Sequence, residues 1–123
     1  MQDERQRWRA LKDAEAAVLG FLLSREFPGR DELVVQSQSA RVSEIDREGS
    51  LQFRVTAPLA PVETRVPTEA HYLDGTDDEY GPAVHILLHV VDGKLSEVEI
   101  FKNDDSEIIT GPYAVALSHL RFF

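Results

Sequence analysis

The chain has 123 residues, 42% of them hydrophobic, with 22 acidic against 13 basic side chains and a formal net charge of −9. That length suits a single domain, residues 1–123, able to bury roughly two-thirds of the surface its unfolded chain exposes. The lack of cysteine rules out disulfides, thiolate metal sites and a cysteine nucleophile, and the negative field disfavours nucleic acid and anionic membranes as partners.

The amino terminus is charged from its first few residues and has no apolar leader behind it. The longest apolar run, Ala16 to Leu23, is 8 residues long, against about 20 for a membrane span. A soluble, cytoplasmic protein is expected. Arg5, Arg7, Trp8 and Arg9 form a basic-aromatic cluster of the kind that stacks on bases or holds phosphate. In so acidic a chain it reads as a solvated end, residues 1–10, with Trp8 folded back onto the domain.

The first regular element is a helix from Asp13, with Asp13 as its N-cap and an apolar stripe of Leu11, Ala14, Val18, Phe21 and Leu22. Gly20 in its interior costs about 1 kcal/mol relative to alanine, and close packing is the expected reason for it. Phe27-Pro28-Gly29 ends this helix. Arg30 to Gln38 forms a second helix with Leu33 and Val34 turned inward.

Strands follow. Val42 to Asp46 and Leu51 to Thr56 make a hairpin closed by Arg47-Glu48-Gly49, with Leu51, Phe53 and Val55 on one face. Val62 to Leu73 is extended, but Pro67 cannot donate a ladder hydrogen bond, so this segment is an edge strand, bulged there, or broken in two. Asp74 to Pro82 is a surface loop. Ala83 to Lys102 is the strongest element, a hairpin turning at Asp92-Gly93. A three-residue loop of Val91, Asp92 and Gly93, with Gly93 left-handed in a bulge, pairs Val90 with Lys94 and Ile86 with Val98. It then sorts Val84, Ile86, Leu88, Val98 and Ile100 onto one face and His85, His89, Glu97 and Glu99 onto the other. A two-residue turn pairing Val90 with Leu95 sorts them badly. After the loop Asn103 to Ser106, the tail Tyr113 to Phe123 is apolar enough to dock, with neither period convincing.

Helices first and strands afterwards predict an α+β fold: two amino-terminal helices packed on a mainly antiparallel sheet of four to six strands. The stripe Leu11, Ala14, Val18, Leu22 is expected to meet Val84, Ile86, Leu88, Val98 and Ile100.

Chemistry is thinly signalled. G-x-S-x-G, H-E-x-x-H, a Walker A loop and G-x-G-x-x-G are all absent, so no catalytic residue, cofactor or metal ligand is assigned. Asp74, Thr76 and Asp78 are spaced like the first ligands of an EF-hand, but glycine and glutamate are missing where Glu79 and His85 stand. On the polar sheet face His85 and His89 lie about 13 Å apart, too far to share one metal. A cross-strand pair of His85 with Glu99 is compatible with proton transfer or zinc ligation, with His71, Glu69 and Glu63 expected nearby, although opposite-charge pairing on an exposed sheet explains it as well. Leu87, Leu95 and Phe101 fall on this same face, where they call for cover by the tail or by another protein chain.

Three phrases carry a likeness to known proteins: Phe27 to Leu33 (FPGRDEL), Ile45 to Leu51 (IDREGSL) and Val91 to Ile100 (VDGKLSEVEI). Over Leu11 to Ile109 the chain resembles an uncharacterised family of small bacterial domains. That resemblance implies one α+β domain of bacterial origin and brings no activity or site residue with it. The function expected is a non-enzymatic protein-binding module, inhibitor-like, immunity-like or self-associating, whose contact residues are Leu87, Leu95, Phe101, His85 and Glu99. The alternative is a small hydrolase or lyase using the His/Glu sheet face.

Overall fold

A computed structural model describes residues 7–56, 58–75 and 82–123. In chain order the elements are β1 (Arg9–Ala10), α1 (Asp13–Leu22), α2 (Arg30–Gln38), β2 (Arg41–Glu44), β3 (Leu51–Arg54), β4 (Thr68–Leu73), β5 (Ala83–Val91), β6 (Lys94–Lys102), a 3-10 turn at Leu117–His119 and β7 (Arg121–Phe122). The strands form one sheet in the order β1-β2-β3-β6-β5-β4-β7. Every neighbouring pair is antiparallel. The α+β expectation holds, but the sheet has seven strands rather than four to six. The additional strands are the two-residue β1 and β7, too short to leave any periodic signal.

Both helices pack on one side of this sheet, α1 against β4 and the 3-10 turn, α2 against β6. Along α1 the buried residues are Glu15, Val18, Leu19 and Leu22, with Leu23 just beyond, while Ala14 is exposed. The inward stripe is therefore turned by one position from the expected one. Glu15 explains the turn: its carboxylate accepts the Lys12 amide N–H at 2.8 Å and both guanidinium nitrogens of Arg9 at 2.8 Å. This ties the start of α1 to β1. Lys12 takes the N-cap position and Asp13 is the first helical residue. A lysine side chain cannot accept a hydrogen bond, so Glu15 supplies the reciprocal half of a capping box alone.

Gly20 is exposed, and a methyl group built on it meets nothing within 4 Å. Close packing does not account for it. Gly20→Ala should therefore stabilise the domain by about 0.5–1 kcal/mol through helix propensity, read from the urea midpoint at unchanged m-value. A destabilised variant would contradict the open surroundings of this position.

The hairpin of β5 and β6 turns in two residues, not three. Asp92 (φ 53°) and Gly93 (φ 75°) are both left-handed, the pattern of a type I′ turn. Val91 pairs with Lys94 and Val90 with Leu95. The register then shifts between His89 and Val90, so that His89 meets Glu97, Leu88 meets Val98 and Ile86 meets Ile100. Ser96 is the extra residue of this bulge. The expected facial sorting survives from Glu97 onward because the bulge supplies the one-residue correction that a longer loop was expected to give. On the near side of the bulge, Leu95 joins Val90 on the helix side and is 2% exposed.

Two further expectations are refined. The strand after the second loop begins at Thr68, immediately beyond Pro67, and β7 lies outside it, so it is not an edge strand over Ala70 and His71. The tail docks along this edge. Leu120 is buried, Phe122 stacks on Phe21 with ring centres 4.6 Å apart, and the Arg25 guanidinium lies 5.3 Å from the centre of the Phe122 ring.

A buried ion pair fixes the far end of the sheet. Lys102 Nζ lies 3.0 Å from Asp74 Oδ1, with the two side chains 6% and 2% exposed, and the Ile109 amide donates to the same carboxylate. Burial pushes the Asp74 carboxyl up, but the Ile109 amide and the Lys102 ammonium outweigh it and hold the group below the ordinary carboxylate range. A depressed folded-state value contributes stability above the unfolded value of about 3.9 and loses it as pH falls through the folded one. Asp74→Asn, which leaves Lys102 buried and unpaired, is expected to destabilise by about 3 kcal/mol at pH 7. Its disadvantage relative to the wild type should shrink as pH drops below about 4. Denaturation curves with parallel acid limbs for the two proteins would rule this account out.

Candidate functional site

The side of the sheet opposite the helices is open, and strand alternation fixes which residues line it. One row across the sheet holds Arg121, His71, His85 and Phe101. The next holds Glu69, Leu87 and Glu99, and a third His89, Glu97, Gln52 and Ser43. Arg54 and Arg41 face each other on β3 and β2 beyond them. Trp8 reaches this side from the chain end, with the Arg54 guanidinium 4.2 Å from its ring centre. It does fold back onto the domain.

Each of the two central histidines is held by a carboxylate, but not in the expected combination. His85 Nδ1 lies 2.9 Å from Glu69 Oε2, and His89 Nε2 lies 2.7 Å from Glu99 Oε1. Glu99 stands opposite Leu87 rather than His85, a consequence of the bulged register. The opposite nitrogen of His89, Nδ1, is 3.1 Å from Arg65 Nε. Arg65 is brought there because its carbonyl accepts the Val90 amide at 2.7 Å. Arginine can only donate, so His89 Nδ1 is the bare nitrogen and Nε2 carries the proton given to Glu99. His85 is the reverse tautomer, with its proton on Nδ1 toward Glu69.

An aromatic cluster encloses His85, which is 6% exposed. Phe101 stacks on it at 5.1 Å between ring centres, and Phe123 of the tail tilts over it at 5.4 Å. Directly across on β4, His71 sits 6.1 Å from His85, with Phe123 edge-on at 5.5 Å. The Nδ1 atom of His71 is buried with no hydrogen-bond partner among the described residues. The tail thus covers the His71 and His85 end of the face, while Leu87 is half-buried.

Of the residues singled out from the sequence, His85, Leu87, Glu99 and Phe101 share this face. Leu95 does not, because the Ser96 bulge places it in the core. Glu69 and His71 join the face as expected, whereas Glu63 lines a cleft with Phe27, Pro28 and Pro61. The calcium-like spacing dissolves as well. Asp74 is committed to Lys102, His85 lies within β5, and Thr76, Asp78 and Glu79 fall outside the described residues. Arg65 was not foreseen, since no sequence signal predicts its contact with His89, whereas Phe123 belongs to the tail that was expected as one possible cover of this face.

Chemically, the face offers two histidine–carboxylate pairs. The described clefts, of about 370–460 Å³, are lined by no histidine of this face, although Ser43 at its margin lines one of them. Among the described residues no group of three or more His, Asp or Glu side chains is placed to hold a metal ion. No described helix is long and apolar enough to cross a membrane.

The domain class set by this architecture is a one-sided α+β sandwich of two helices on an antiparallel sheet. Residues 8–112 match the family described as a domain of unknown function, DUF6984, and the chain belongs to that family. No curated protein and no solved structure matches it.

The hydrogen-bond partners predict the ring tautomers. Long-range proton–nitrogen spectra at neutral pH should show His89 protonated on Nε2 and His85 on Nδ1. The opposite assignment for either ring would be incompatible with its hydrogen-bond partners.

Proposed function

We propose that this domain is a protein-binding module that receives its partner on the open face of the sheet, around His85, Leu87, Glu99 and Phe101. The observation that carries the reading is the one-sided cover. Both helices occupy one face, and the other presents half-buried Leu87 and Phe101 beside stacked rings, with charged side chains around them. Apolar and aromatic residues surrounded by charge match the centre and rim of protein interfaces. Two forms of this reading are an inhibitor- or immunity-like module, for which a net charge of −9 would speed encounter with a basic partner, and a self-associating one.

A small hydrolase or lyase is the second reading, favoured by the Glu69–His85 pair, whose geometry suits a histidine acting as a base. Against it, His89 has both nitrogens engaged, and the ring of His85 lies against Phe101 and Phe123.

The test is affinity capture from the source cell with the wild type and Phe101→Asp, after circular dichroism shows both folded. Placing a charge at the centre of an interface is expected to weaken binding by about 2–4 kcal/mol, so a partner held by the wild type should be lost from the variant. Equal retention by both proteins would remove Phe101 from the contact and the reading with it.

A further inference from the structure

The open face carries opposite charges that have no ion-pair partner among the described residues. Arg41 and Arg54 stand directly opposite each other on β2 and β3, a like-charge cross-strand pair that is unfavourable by itself. Glu97 stands on β6 across from Gln52, beside Glu99. Among the described residues the ion pairs involve other side chains, and Arg41, Arg54 and Glu97 take part in none of them. Arg54 rests against the Trp8 ring. Basic and acidic strips therefore lie side by side on one surface.

We infer that the partner is a second copy of this chain. The open faces of two molecules pack across a two-fold axis, with Arg41 and Arg54 of each on Glu97 of the other, beside Glu99, which the monomer already pairs with His89. The inference rests on the protein-binding reading of this face and adds the identity of the occupant. A uniformly basic partner satisfies the glutamates but sets like charge against the arginines, and an acidic one does the reverse. A rotated copy satisfies both strips at once, because in a two-fold interface every contact is made twice. Leu87 and Phe101 lie beside the acidic strip on β5 and β6, so the same packing removes them from water. The net charge of −9 on each copy opposes association only weakly, since charges beyond about 8–10 Å are screened at physiological ionic strength.

Sedimentation equilibrium of the full chain over a wide concentration range tests this. The wild type should form a reversible dimer that weakens as salt is raised from about 0.05 to 0.5 M. Glu97→Arg and Arg54→Glu should each weaken association about tenfold or more, a change of about 1.4 kcal/mol at tenfold. The double variant, with the charges exchanged, should recover most of the wild-type affinity, which also shows that the single variants lose charge complementarity and not the fold. A wild type that stays monomeric to about 1 mM, a level of affinity near 4 kcal/mol, overturns the inference, as does a dimer unmoved by Glu97→Arg. If that monomer still captures a different protein in a Phe101-dependent way, the binding face stands and only the second copy is eliminated.

Discussion

The side chain of Gln36 holds the two layers of this domain in register. It is 1% exposed, and its amide nitrogen donates to the carbonyls of Pro58 at 2.6 Å and Gly93 at 2.8 Å, while its oxygen accepts the Leu95 amide at 2.9 Å. One residue of α2 thus satisfies backbone groups at the tip of the β5–β6 hairpin and in the connection after β3. Gly93 is fixed from a second side, since its carbonyl also accepts the Ala60 amide at 2.9 Å. A methyl group at Gly93 meets the Ala60 carbonyl at 2.8 Å. Buried polar groups of this kind are stabilising only while every member is paired. The turn, the helix and the connection therefore form one mutually dependent unit.

That unit explains the bulge, and the bulge explains the open face. With the Leu95 amide committed to Gln36, Leu95 points into the core, and the extra residue Ser96 restores the alternation that sends Glu97, Glu99 and Phe101 outward. A hairpin of the same composition without this offset places either Leu95 or the two glutamates on the wrong side of the sheet. Ser50 makes a comparable link at the other end of β6, accepting the Ile100 amide at 2.9 Å.

What the sequence reveals follows the length over which a pattern repeats. The Arg30–Gln38 helix coincides with the expected span, and the β2–β3 and β5–β6 hairpins fall where alternation and Asp-Gly or Gly-containing turns place them. The two-residue strands have no period to read. The position of Leu95 has a signal of another kind: in LSEVEIF the adjacent polar residues Ser96 and Glu97 break the alternation, but where along the hairpin the strand slips depends on the Gln36 side chain, 59 positions away. The candidate site shares this limit. Alternation groups the histidines and glutamates on one face, but which carboxylate meets which imidazole depends on the register, and the roles of Arg65 and Phe123 depend on loop paths. Gly20 is the converse case, a residue suggesting a constraint where the structure has open space.

The two outermost strands have a consequence for how molecules of this protein meet. Each is only two residues long, and the amide of Phe123 closes one more position by donating to the Glu69 carbonyl at 2.9 Å. Among the described residues, neither outermost strand offers a long ladder of vacant amides and carbonyls onto which another strand can zip. Open-ended fibre growth along the ladder direction is discouraged at both margins.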